Sequence, residues 1–236
     1  MSVDPASLPF LLERLRPAWA EVDLSRLEAN YLAVARATRL PIMPVIKSDA
    51  YGHWAVPVGR VLERLGAPLL AVSCAEEGAE LRAGSVRVPI VVLAGFGRGQ
   101  LEVMLDHDLT PVVSTTAVLE DVVQAQSRRA VPISVHLKVD SGMGRLGLSV
   151  ETIADAALRL RGAGAKIDGV LTHLASADED PSYTERQLDR FDEALAWLAA
   201  RDVRPRWVHA ANSAGLRCPR PTHTLTRPGL VLYGVR

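Results

Sequence analysis

The sequence is short of cysteine, of long apolar runs and of any excess of charge. Two cysteines occur in 236 residues, Cys74 and Cys218. Two thiols so far apart provide neither a disulfide framework nor a metal-ligand spacing, and they suit a reducing, cytoplasmic setting. Lys and Arg number 27, and Asp and Glu also number 27. That balance gives a nucleic-acid or polyanion partner no basic footprint to bind. No apolar run approaches the roughly 20 residues that span a bilayer, so no membrane role is expected. The start holds a short apolar stretch, Leu8–Leu12, with no basic region before it and no small-residue cleavage site after it. Residues 1–16 therefore read as an N-terminal arm, not as a signal peptide. Internal repeats, low-complexity segments and charge blocks are also missing.

What is present is a regular alternation. Hydrophobic residues make up 48% of the chain, enough for one sizeable core. A first short strand is expected at Trp19–Asp23, followed by a helix from Ser25 with Ser25 and Glu28 in capping-box spacing. Eight strand-like runs follow: Ile42–Ile46, Leu69–Ser73, Ile90–Ala94, Thr110–Val113, Ile133–Val139, Gly169–His173, Trp207–Ala210 and His223–Arg227. Between them the spacing predicts helices at Ala55–Leu65, Ala75–Ala83, Gln100–Asp106, Thr116–Ser127, Val150–Arg161 and Thr184–Ala200. The last would be capped by Ser182 with Glu185. The stretch from Asn212 to Thr222 is too short for a full crossover helix. Eight buried strands separated by helices argue for a parallel α/β architecture, and eight units in this length favour a (β/α)8 TIM-type barrel. The Trp19–Asp23 strand would lie outside it or at its edge. An open doubly wound sheet is the alternative.

In such a barrel, chemistry sits at the C-terminal strand ends. Those ends offer Lys47, Ser73, Gly95, Ser114, Asp140 to Arg145, His173, Asn212 with Ser213, and Arg227 to Leu230. Lys47 closes an apolar run in "VIKSDAYGH". It is either a snorkelling lysine or a nucleophile, since an amine withdrawn from water favours its neutral, reactive form. "KVDSGMGRLG" (Lys138–Gly147) lacks the Gly-Lys-Ser/Thr ending of a phosphate-binding P-loop. It is a plain turn or a seat that aims Arg145 at an oxyanion. His136, Lys138 and Asp140 share one strand face. His173 is a structural residue or, with His209, a metal pair, though no carboxylate spacing completes such a site. "HAANSAG" and "RPGLVLYG" lie after neighbouring strands, where a short extra helix can bind phosphate through its backbone N–H groups.

These segments, in this order, resemble the alanine racemases. "VIKSDAYGH", "KVDSGMGRLG", "THLASADE", "HAANSAG", "RPGLVLYG" and the early "AWAEVDLSRLEANY" are similar to their N-terminal pyridoxal-phosphate barrel, over about residues 17–236. The resemblance implies pyridoxal 5'-phosphate as cofactor, no metal, and interconversion of L- and D-alanine for cell-wall D-alanine. It implies that Lys47 holds the cofactor as a Schiff base and is the base on one face of the substrate. Tyr51, Ser213 and the backbone of Gly229 and Leu230 would hold the phosphate, beside Asn212. Arg145 would approach the phenolic oxygen, oriented by Lys138, which corresponds to a lysine often carbamylated in the family. Arg227 would face the pyridine nitrogen, supported by His173.

The family's second base is a tyrosine from the C-terminal β-domain of a partner subunit in a homodimer. The sequence stops at Arg236, shortly after "LYG", so the expectation is the barrel portion of a two-domain enzyme. A non-catalytic barrel that binds pyridoxal phosphate, or a related activity such as serine racemisation or a decarboxylation, are the alternatives.

Overall fold

The computed structural model describes residues 20–97, 99–218, 220 and 223–235. The expected arm at 1–16 and Trp19 lie outside them. Helix α1 spans Leu24–Thr38 and buries Leu27, Tyr31 and Val34. Its cap is Asp23, whose carboxylate accepts from the N–H groups of Ser25 and Arg26. The expected capping box at Ser25 is thus displaced by two residues, and residues 20–23 form no strand. A carboxylate is as good an N-cap as a serine, and Asp23 comes first.

Six strands and six further helices alternate from there. They are α2 (Ala55–Arg64), β1 (Leu70–Val72), α3 (Ala75–Ala83), β2 (Ile90–Val92), α4 (Gln100–Asp106), β3 (Leu109–Val113), α5 (Thr116–Gln126), β4 (Ser134–Lys138), α6 (Val150–Gly162), β5 (Lys166–Leu171), α7 (Pro181–Ala199) and β6 (Trp207–His209). The strands form one parallel sheet in sequence order, β1 to β6. Each neighbouring pair is joined by a helix, the crossover that parallel pairing requires. Helix α7 begins at Pro181, three residues before the expected start. Asp180 caps it by accepting from Tyr183 N–H, and proline suits the first turn because its missing N–H has no helical partner there.

The first and last expected strand runs are not regular strands. Ile42–Ile46 makes isolated parallel bridges, Ile42 to Thr226 and Val45 to Ala71. His223–Arg227 bridges back through Thr226, and antiparallel from His223 to His209. Backbone bonds still tie these runs together: Met43 N–H to Thr226 O at 2.8 Å, Ile46 N–H to Ala71 O at 2.8 Å and Arg227 N–H to Ala211 O at 2.9 Å. Pro41 and Pro44 lack the N–H donors that a continuous ladder would need, which interrupts the first run. The segment after Ala211 holds a short 3-10 helix at Ala214–Arg217, and a second lies at Leu230–Tyr233.

The aliphatic core lies between the helices and the outer face of the sheet. A smaller apolar cluster with Met43, Val91, Val112 and Leu225 fills the inner face. Above it the inner face turns polar, with His136, Lys138, Thr172, His209 and Arg227 all buried. Both cysteines are free. No helix among the described residues is long and apolar enough to cross a membrane.

Candidate functional site

A cavity of about 550 Å³ opens at the C-terminal ends of the strands. It brings together Lys47, Tyr51, Ser73, Lys138, Arg145, His173, Asn212, Ser213, Arg227, Gly229 and Leu230. Of the strand-end candidates, Gly95, Ser114 and Asp140 do not line it. Asp140 instead holds the glycine loop, accepting from Gly142 N–H at 3.0 Å and Gly144 N–H at 3.1 Å. Gly147 is needed there: its φ is +145° and a Cβ would collide with the backbone of Asp140. The bonds Asp140 N–H to Leu148 O and Leu148 N–H to Lys138 O close the loop, and Arg145 within it lines the cavity.

Lys47 begins a left-handed turn. Ser48, Asp49, Ala50 and Tyr51 have φ of 53°, 51°, 54° and 54°. Four consecutive non-glycine residues in that region are costly for L-amino acids, and such strain persists only where surroundings enforce it. Glu77 does so on one side, accepting from Ser48 N–H at 2.6 Å and Ser73 N–H at 2.7 Å. Asp49 does so on the other, accepting from Ala55 N–H at 2.6 Å. The turn places Lys47 Nζ 5.9 Å from the centroid of the Tyr51 ring. It also lays the Tyr51 hydroxyl on the backbone of Gly229, where a Cβ would stand 2.5 Å from the Tyr51 Oη.

Ser213 Oγ accepts from Gly229 N–H at 3.0 Å and Val231 N–H at 3.3 Å, so it organises the start of the Leu230–Tyr233 turn. The Gly229 N–H is therefore engaged with Ser213, and the two hydroxyls of Tyr51 and Ser213 converge on this corner. Asn212 spends its amide on structure, donating to Leu174 O at 3.2 Å and accepting from Gly215 N–H at 2.9 Å.

Arg227 is buried, and burial pulls its pKa down to about 9, which leaves it charged at neutral pH. Its Nη1 reaches His209 Nδ1 at 2.9 Å and His209 O at 2.6 Å, and its Nη2 reaches Thr172 O at 2.6 Å and Ala210 O at 3.1 Å. All four partners are neutral. The imidazole bonded to Arg227 is His209, not the expected His173, because β6 runs beside the Arg227 segment and turns His209 inward. Both His209 nitrogens are engaged, the second with His136 Nδ1 at 2.9 Å, which leaves none for a metal pair with His173.

The electrostatics are one-sided. Two lysines and two arginines line the cavity against one carboxylate, Asp178. His173 registers that field. Burial first, then Arg227, Lys138, Arg145 and Lys47, hold its pKa down to about 3. Lys138 is pushed down to about 8 by burial and by Arg145 and Arg227, against the opposing pull of Asp140. The cavity is thus built for an anionic ligand that also offers an acceptor to Arg227. Sequence reasoning missed Glu77, Asp178 and the His209–His136 pair. The helical placement of Glu77 gave no hint of its reach, whereas His136 and Lys138 already shared a face.

Pyridoxal phosphate fits this donor set. Its phosphate suits the hydroxyl corner of Tyr51, Ser213 and the Leu230 turn, which a Cβ at Gly229 would fill. Its aldehyde needs an amine, and Lys47 is in the same cavity. A neutral ring nitrogen suits a donor such as Arg227.

The comparisons agree with the geometry. A sequence profile described as "Alanine racemase, N-terminal domain" matches residues 22–236. An alanine racemase of Symbiobacterium thermophilum is 42% identical over 229 residues, covering 95% of this chain and 60% of that protein. Among solved structures, alanine racemase of Clostridium difficile 630 in complex with cycloserine matches with a TM-score of 0.87 and 30% identity, covering 93% of this chain and 62% of the other. Alanine racemase from Bartonella henselae with covalently bound pyridoxal phosphate matches with a TM-score of 0.80 and 27% identity, over 90% of this chain and 62% of the other. The chain thus spans about 60% of the length of the curated relatives it matches. With most of its length inside that profile, it belongs to the family of alanine racemase N-terminal domains.

Proposed function

We propose that this chain holds pyridoxal phosphate and carries one of the two proton-transferring groups that interconvert L- and D-alanine. The observation that carries this reading is the cavity shared by Lys47 and Arg227, in which a buried arginine has only neutral partners. When bound, the cofactor supplies an electron-withdrawing ring that makes the α-proton of an amino acid removable. Lys47 anchors it through its amine and, once freed, takes or returns the proton at Cα on one face. Tyr51 and Ser213 hold the phosphate. Arg227 donates to the ring nitrogen and cannot accept a proton, so that nitrogen stays neutral and return of the proton to Cα is favoured over transamination. Arg145, close enough to Lys138 for its charge to be felt there, would approach the phenolic oxygen. A carbamate on Lys138 would turn a repelled cation into an anion beside Arg145.

The same reading closes the ring of strands. The bonds from Ile42–Ile46 to Thr226 on one side and Ala71 on the other support a (β/α)8 barrel with two irregular members. The proton on the opposite face of the substrate comes from a group outside these residues, and a homodimer is the arrangement that supplies it. Tyr51 is the one tyrosine lining the described cavity, and its hydroxyl faces Gly229.

The test is to add pyridoxal phosphate, fix it with borohydride and locate it by mass spectrometry, then assay formation of D-alanine from L-alanine. Label on Lys47 with D-alanine formation is expected where the second proton group is present. Label on Lys47 without turnover, in a protein that contains that group, would favour a binding role. Label elsewhere, or none, sinks the reading.

A further inference from the structure

We propose that His136 is a positioning residue for Arg227, acting through the tautomer of His209. The tautomers follow from a count of protons. A guanidinium has donors only. Arg227 Nη1 lies 2.9 Å from His209 Nδ1, so Nδ1 must accept, and the proton of neutral His209 sits on Nε2. That Nε2 lies 2.9 Å from His136 Nδ1, so His136 Nδ1 must accept in turn, and its own proton sits on Nε2. The opposite tautomer of His209 would set an N–H against an N–H of Arg227. A proton added to His136 would set two donors between the rings. One arrangement alone satisfies all three groups.

The fold makes room for this chain of bonds at a cost. His136 pairs with Gly169 across β4 and β5, where the register shifts between Val135 and His136. A Cβ on Gly169 would collide with the His136 ring, so only glycine admits it. Irregular register of this kind re-aims a side chain. The His136 Nε2 that ends the chain is buried with no partner among the described residues. An unpaired buried N–H is unfavourable, because it gives up water without gaining a partner. An apolar side chain on β4 would remove that N–H but leave the buried His209 Nε2–H unpaired in its place, so what the histidine adds is its bond to His209.

The consequence falls on Arg227. Its four Nη hydrogens are matched by His209 Nδ1, His209 O, Thr172 O and Ala210 O. The Nε–H is left as the donor for the cavity. His136 keeps the His209 lone pair turned to Arg227, and so keeps the guanidinium plane fixed. The functional side of this inference rests on the cofactor reading above, whereas the tautomers do not.

The experiment uses the 236-residue chain labelled with 15N-histidine, without cofactor, and two-bond 1H–15N correlation NMR. Both His209 and His136 are expected as the Nε2–H tautomer at neutral pH. A Nδ1–H proton on His209 would overturn the proposal and leave the cofactor reading standing. Failure to bind pyridoxal phosphate would do the reverse. His136→Gln retains an acceptor for His209 and should retain its tautomer. In His136→Leu the share of the other His209 tautomer should rise about fivefold, the equivalent of one net hydrogen bond. In the loaded protein with the second proton group present, kcat should fall in His136→Leu and recover in His136→Gln, with KM little changed. Equal tautomer populations in both variants would refute the positioning role, and if His136→Leu does not fold, the unsubstituted chain and His136→Gln still decide.

Discussion

The carboxylate of Glu77, on α3, bonds the backbone N–H of Ser48, the residue after Lys47, at 2.6 Å. Its other oxygen takes Ser73 N–H at 2.7 Å. One side chain therefore fastens the left-handed turn to the end of β1. Hydrogen bonds to charged groups contribute about 1.5–3 kcal/mol each. Glu77→Ala should release the turn and weaken pyridoxal phosphate binding by at least about tenfold, the equivalent of ~1.4 kcal/mol. Glu77→Gln retains one acceptor and should fall between. Absorbance titration of the cofactor checks this, and equal affinities in all three proteins would refute the bracing role.

Gly229 has φ −119° and ψ −88°, outside the helical and extended regions, so an alanine there meets backbone strain as well as a limit of space. Its Cβ would press on the Tyr51 hydroxyl at 2.5 Å. Gly229→Ala should lower the thermal midpoint by several degrees, since the obstacles are one strained backbone angle and the end of one side chain. Affinity for pyridoxal phosphate should drop about tenfold or more, while pyridoxal, which lacks the phosphate, should lose little. A parallel loss for both ligands would place the phosphate elsewhere.

Lys138 has its pKa pushed down to about 8, so its amine becomes largely neutral above that pH rather than above the usual 10.5. Carbamate formation joins that neutral nitrogen to CO2 and releases a proton. Uptake of 13C from labelled bicarbonate, followed by NMR, should therefore rise between pH 7 and 9 and vanish in Lys138→Ala. A signal that survives the substitution would assign the carbamate to another amine.

Three histidines are held neutral by burial and nearby cations: His136 with its pKa near 4, His173 near 3, and His209 well below the usual 6.5. The unfolded chain binds protons at these sites below about pH 6.5, and the folded chain does not until much lower. Their contribution to stability is thus complete above pH 6.5 and is lost progressively on acidification toward pH 4. Each neutral histidine adds a slope of roughly 1 kcal/mol per pH unit within that window. Urea unfolding at pH 5 and pH 7.5 should show the loss, and His173→Phe should flatten the slope. A slope independent of these residues would contradict it.

Much of the fold was legible from periodicity because α3 and α4 begin and end where their apolar faces do, at Ala75–Ala83 and Gln100–Asp106. The caps of α1 and α7 were misplaced because Asp23 and Asp180 compete with nearby serines, and only geometry shows which side chain bends back. The regularity of the first strand run was overstated because Pro41 and Pro44 remove donors without disturbing the apolar pattern. Lys47, Tyr51 and Ser213 were legible because each lies in a segment that resembles a known family. The partner of Arg227 was not, because which imidazole faces it depends on how β6 meets a segment that follows a loop. Glu77 was hidden for a similar reason: its partners are backbone groups, which leave no mark in a sequence.

The pairing of Ile42–Ile46 with Thr226 has a consequence for synthesis. As the chain emerges from its N-terminus, Lys47 appears early, yet its strand run gains its second neighbour only after some 180 further residues, on the order of ten seconds or more at ordinary elongation rates. Throughout that interval the apolar run presents an open edge, the kind of surface that chaperones cover. In the order of synthesis Lys47 thus precedes the segments around Ser213 and Arg227 that complete the cavity beside it.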